Sequence, residues 1–147
     1  MLQEYLKLNK IVLVAFAASM IVSAIVAKFL SDQPDYLNTT YTTITDYVTY
    51  FSVFFGLFYL INRKKYHLES GGTDSVKLKH DLKKLISSLG IAEVIYTVAR
   101  WVLHYYFLTL NHDPYLASIA SQGISTIIYM IVLNLIVKIT RLYKDAN

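Results

Sequence analysis

Residues 96–107 read YTVARWVLHYYF and set Arg100 and His104 inside an otherwise apolar run, with Glu93 seven residues before Arg100. On a helix each residue turns by about 100°, so Glu93, Thr97, Arg100 and His104 share one narrow stripe, with Tyr96 at its edge. Three kinds of chemistry fit such a stripe. A guanidinium is a planar fork matched to phosphate oxygens, with His104 and Tyr96 as neighbouring donors. A carboxyl and an imidazole can relay protons within a membrane. The same groups can also satisfy one another in a purely structural network. Glu93 and Arg100 lie two turns apart, about 10.5 Å, too far to pair unless both side chains bend. Asp46, in an earlier segment, is an alternative partner for Arg100 and would lock two segments together.

The segment holding the stripe must itself be positioned, and the sequence says where. Ile11 to Leu30 is an apolar stretch of about the twenty residues that span hydrocarbon. Similar stretches cover approximately 42–61, 85–110 and 118–139, so the expected fold is an all-α, integral membrane four-helix bundle forming one domain. The first stretch exceeds the roughly 7–15 apolar residues of a cleavable leader, and Ser31-Asp32-Gln33-Pro34 offers no small-x-small cleavage site. With no cysteine there is no disulfide, thiolate metal site or cysteine nucleophile. His67, His80 and His112 lack ligand spacing, and neither a phosphate-cradling glycine loop nor a nucleophile–base set is present. We therefore expect no metal, no cofactor and no enzymatic activity from the chain alone.

All 14 basic residues except Lys28 and Arg100 fall on the N-terminus, the 62–84 loop or the C-terminal tail. That asymmetry predicts cytoplasmic termini and a cytoplasmic 62–84 loop. The net charge of +4 is then directed at anionic lipid headgroups rather than nucleic acid. Within the loop, Leu78, Leu82 and Leu85 share a helical face among lysines, which suits either a helix lying on the headgroups or the solvated start of the third span. Asn38-Thr39-Thr40 is a glycosylation sequon on the opposite side.

The two halves of the chain resemble each other. A shift of 79 residues places Tyr36-Leu37 on Tyr115-Leu116, the first span on the third and the second on the fourth, as in a parallel two-span repeat. Further polar stripes are Ser118, Gln122, Ser125 and Tyr129 on the fourth span, Asp46 with Thr42 and Thr49 on the second, and Ser19 and Ser23 on the first. Glu and Arg near a helix centre cost about 2.5–3.5 kcal/mol each, against a gain of about 0.3–0.6 per strongly apolar residue. The third span's stripe must therefore face other helices, water or a ligand. Trp101, Tyr105 and Tyr106 fit interfacial anchoring.

At the end of the second span, FYLINRKKYHL (residues 58–68) resembles the N-F-L-L-N-R-x-W-x-F signature of GtrA-like proteins. Asn62 and Arg63 match its second Asn and its Arg, while Phe58 and Lys65 replace its first Asn and its Trp. NLIVKITRLY, ending the fourth span, matches complementary positions through Asn134 and Tyr143, and KKLISSLG loosely resembles the family's third-span start. The resemblance extends to length, span number and orientation. It implies a protein of a prokaryotic cell membrane that handles polyprenyl-phosphate-linked sugars, by translocating them or by holding a glycosyltransferase beside them. The basic helix ends (Asn62, Arg63, Lys64, Lys65, Lys83, Lys84, Asn134 and Arg141) are then expected to meet headgroups. Two other classes stay open: a non-catalytic subunit of a larger membrane complex, and a small channel or proton-coupled transporter.

Overall fold

Turn chemistry divides the chain. Pro34 precedes the second helix, and Pro114 opens the fourth, where Asp113 caps the free amides of Tyr115 (2.9 Å) and Leu116 (3.4 Å). Asn111 takes a left-handed φ of 59° in the tight turn before it. The computed structural model describes residues 2–140. Its helices are α1 (Leu2–Phe29), α2 (Asp35–Asn62), α3 (Ser75–Thr109) and α4 (Pro114–Thr140), with a 3₁₀ turn at Arg63–Tyr66. The structure is all-α. Three segments, Leu6–Phe29, Asp35–Tyr66 and Pro114–Ile136, are long and apolar enough to cross a membrane. A fourth qualifies if the two parts of α3, Ser75–Lys84 and Leu89–Thr109, count as one span; they meet at 60°. The bend falls between Lys84 and Leu89, a stretch that contains Ser87 and is closely followed by Gly90, residues that weaken a helix locally.

The helices pack in a ring, with α1 against α2 and α4, and α3 against α4 and α2. Buried positions reproduce the 79-residue shift on α2 and α4. Asn38, Thr39, Thr42, Thr43, Asp46, Tyr50 and Phe54 map one for one onto Ala117, Ser118, Ser121, Gln122, Ser125, Tyr129 and Leu133. On α1 and α3 the matching shift is 81: Ile11, Ala15, Ser19, Ser23 and Ala27 map onto Ala92, Tyr96, Arg100, His104 and Leu108, all buried.

The interior has two layers. Towards the end bearing the 62–84 loop it is aromatic, with Phe16 ringed by Tyr50, Tyr96 and Tyr129 at centroid distances of 4.7, 5.1 and 5.2 Å. Towards the other end it is polar. Outward-facing positions are apolar: Ile21, Val48, Ile91, Val98, Ile127 and Ile131 are all exposed.

Between α2 and α3, Gly71 (φ 84°) and Gly72 (φ 100°) supply the positive φ of a reversal closed by a bridge between His67 and Thr73. The reversal is clasped to α3. Asp81 Oδ2 lies 2.6 Å from Lys65 Nζ and accepts the hydroxyl of buried Tyr66 at 2.9 Å, and the hydroxyls of Tyr59 and Thr73 pair at 2.8 Å. Burial alone would raise the Asp81 pKa, but the hydrogen bonds from Lys65 and Tyr66 outweigh it and hold the carboxyl below its ordinary value.

Candidate functional site: a buried charge centre

Each helix sends polar side chains to a similar depth. Arg100 lies nine residues from the end of α3, Gln122 eight from the start of α4, Asp46 eleven from the start of α2 and Ser19 ten from the end of α1. At 1.5 Å per residue these are depths of about 12–16 Å. The charged pair sits at the centre. Arg100 is completely buried, and its Nε lies 3.5 Å from Oδ2 of Asp46, itself 1% exposed. Tyr96 donates to the same Oδ2 at 2.5 Å, and Gln122 Nε2 donates to Oδ1 at 2.9 Å. The Gln122 amide also donates to Ser19 (2.8 Å) and accepts from Ser23 (2.9 Å), which joins α1 to the centre. Asp46 is an acceptor, and this fixes which way the amide must face.

Arg100 does not present its fork to Asp46. One terminal nitrogen donates to Ser118 at 2.9 Å and the other to Ser121, both on α4. Its charge is thus matched by one carboxylate at the edge and by two neutral hydroxyls at the tip. One turn further along, His104 is fully buried, and neither ring nitrogen has a hydrogen-bond partner among the described residues. The Thr39 hydroxyl is similarly unpartnered.

The stripe expected on α3 is rotated in the structure. The residues facing inward are Leu89, Ala92, Tyr96, Arg100, His104 and Leu108, at spacings of three and four. Tyr96 is therefore central, while Glu93 and Thr97 are half-buried at the seam with α2. There the Tyr47 hydroxyl donates to the Glu93 carbonyl at 3.1 Å and pairs with the Thr97 hydroxyl. The structure brings Arg100, His104, Tyr96 and Asp46 together and leaves Glu93 and Thr97 half-buried beside them at the α2–α3 seam. The pairing of Arg100 with Asp46 is present. On α4, Ser118, Gln122, Ser125 and Tyr129 all face inward, as do Ser19 and Ser23 on α1.

Four participants escape the sequence patterns. Ser121 holds Arg100, Tyr47 bridges the α2–α3 seam, and Thr39 lies in the polar layer. Asn38 is 1% exposed and donates to the carbonyls of Ala27 (2.9 Å) and Leu30 (3.0 Å). The sequon asparagine is thereby committed to tying the end of α1 to α2, which leaves its amide no access for glycosylation. Only the i, i+3/i+4 spacing of Asn38, Thr42 and Asp46 hinted at such a face.

The basic residues lie at the opposite end. Arg63, Lys64, Lys65, Lys83 and Lys84 are exposed, and Lys65 is engaged with Asp81. Asn62 and Asn134 each spend an amide on a carbonyl of their own helix, Phe58 and Met130, both at 2.8 Å. Arg141 and Tyr143 lie outside the described residues. Trp101 stacks on Tyr105 and donates to Thr40 at 3.2 Å. No group of three or more His, Cys, Asp or Glu residues able to hold a metal occurs among the described residues. Compared with known proteins, the chain matches no family model, no curated protein and no solved structure.

Proposed function

We propose that the chain is a four-span membrane protein built as a parallel two-span repeat, with cytoplasmic termini, that handles the phosphate-bearing headgroup of a polyprenyl-linked sugar in the manner of GtrA-like proteins. The observation that carries this reading is the state of Arg100. Its terminal nitrogens rest on the hydroxyls of Ser118 and Ser121, beside the uncommitted ring of His104. Guanidinium hydrogen bonds to an anionic oxygen are roughly twice as strong as those to neutral acceptors. A phosphate reaching this depth would displace the serines and gain His104 as a further donor. Exposed Arg63, Lys64 and Lys83 would gather anionic headgroups at the cytoplasmic end. The partners of this reading are membrane lipids and a glycosyltransferase.

Binding of a short-chain polyprenyl phosphate to the purified protein in nanodiscs tests it. Saturable binding should fall at least tenfold in Arg100→Lys, which keeps the charge but not the fork. Unchanged binding in a folded Arg100→Ala variant would refute it. The near-complete internal satisfaction of Asp46 and Gln122 favours a second reading, a structural lock in a non-catalytic subunit of a larger complex. A fixed set of proteins co-purifying independently of lipid would select that one.

A further inference from the structure

At the end of the bundle away from the basic loop, the seam between α1 and α4 opens into a groove of about 660 Å³ lined by Ile25, Lys28, Phe29, Ser31, Asp32 and Tyr115. That volume lies within the range of small-ligand sites, about 300–1,000 Å³. Lys28 is one of only two basic residues outside the basic end of the chain, and the other, Arg100, is buried in the polar centre. Among the described residues neither Lys28 nor Asp32 has an ion-pair partner, although they bear opposite charges and line the same groove. Their order along the chain is polar in a consistent sense. Ile25 lies deepest, Lys28 stands in the last turn of α1, and Ser31 and Asp32 lie beyond the helix end. Phe29 is 83% exposed and Ile25 46%, giving the groove an apolar flank open to acyl chains.

We infer that this groove binds a zwitterionic phospholipid whose headgroup ends in a primary ammonium, with the phosphate on Lys28 and the ammonium on Asp32. Moving outward from the tails, such a lipid presents hydrocarbon, then phosphate, then ammonium, and the groove presents Ile25, then Lys28, then Asp32. The match is directional. An anionic lipid without an amine satisfies Lys28 but places negative charge beside Asp32. A choline headgroup carries the positive charge but has no N–H to donate to the carboxylate. The Tyr115 hydroxyl and Ser31 supply neutral donors at the rim. This inference requires only that the helices lie in a membrane and is independent of what Arg100 binds.

The full chain in nanodiscs containing equal parts phosphatidylethanolamine, phosphatidylglycerol and phosphatidylcholine, ejected into native mass spectrometry, tests it directly. The wild type should retain phosphatidylethanolamine at least fivefold over either competitor. Asp32→Asn should abolish the preference over phosphatidylglycerol, and Lys28→Gln should reduce retention of all three lipids. The double exchange Lys28→Asp with Asp32→Lys keeps both charges but reverses their order, and it should not restore binding. Both positions are exposed, so folding is checked by an unchanged melting profile. Equal retention of the three lipids by the wild type, or a preference that survives Asp32→Asn, would overturn the proposal.

Discussion

Arg100 and Asp46 form a pair that neither residue could leave alone at that depth. An uncompensated buried charge is the costly species, and removing one partner of a buried pair typically destabilises by about 3–5 kcal/mol. Arg100→Ala should therefore lower stability by about that amount, because Asp46 keeps only Tyr96 and Gln122 as donors. Asp46→Asn combined with Arg100→Met should cost clearly less than Arg100→Ala alone; reversible unfolding in mild detergent measures both. Gln122 supports a sharper comparison. Gln122→Ala removes hydrogen bonds each worth about 0.6 kcal/mol in membrane proteins, so a loss of about 1–2 kcal/mol is expected. Gln122→Glu is nearly isosteric but sets a second carboxyl against Asp46 Oδ1, now 2.9 Å from the amide nitrogen. It should be the more destabilising of the two, and equal effects would contradict the assigned amide orientation.

At the scale of elements, the clasp at Asp81 decides how α3 enters the bundle. Ser75–Lys84 meets Leu89–Thr109 at 60°, and the link from Lys65 and Tyr66 to Asp81 ties this first part to the end of α2. Asp81→Asn should increase amide hydrogen exchange across residues 66–74 without lowering protection in α1 or α4. The pH dependence has a definite sign. The Asp81 pKa in the folded chain is depressed below its ordinary 3.8, so its contribution is complete above that value and is lost as pH falls through the folded pKa. Loop protection should thus be constant from neutral pH to about 5 and fall only below the ordinary carboxylate range. In Asp81→Asn this acid-induced step should vanish.

For the whole molecule, a polar layer over an aromatic layer, wrapped in apolar surface, predicts what solvent each face meets. The chain has no cysteine, so single labels can be introduced without background. Spin labels at Ile95, Val98 and Val102, which are 38, 59 and 52% exposed, should be relaxed by lipid-soluble oxygen, whereas a label at Arg100 should be shielded. Similar oxygen access at 100 and 102 would mean that α3 is rotated relative to this structure. The basic ends make a second prediction: a C-terminal tag should resist protease added outside intact cells and be cut after permeabilisation. The coincident burial of α2 and α4 at a 79-residue shift adds a constraint on design. Matched buried positions differ in type, Asp46 against Ser125 at that shift and Ser19 against Arg100 at the 81-residue shift of α1 and α3, so the charged pair has no counterpart at the matching positions.

Sequence alone determined four apolar stretches and the two kinds of face, because these depend on local quantities, runs of apolar residues and a 3.6-residue period; the helices themselves start earlier than those stretches, at Leu2, Asp35, Ser75 and Pro114. It also determined that Glu93 and Arg100 needed shelter, since the insertion cost of each charge is a property of the residue and its depth. Asp46 was already a candidate partner for Arg100, but the serine partners of Arg100 were decided by tertiary structure. Which hydroxyls meet the guanidinium depends on the rotation and vertical register of α4 against α3, and that register is set by packing across the bundle. A register shift of a fraction of a turn would have put Glu93 rather than Tyr96 at the centre, since both lie on the same broad stripe. Asn38 and Ser121 were hidden for the same reason. A short polar side chain near a helix end carries no signal of its own until a carbonyl or a cation from another helix is brought within 3 Å of it.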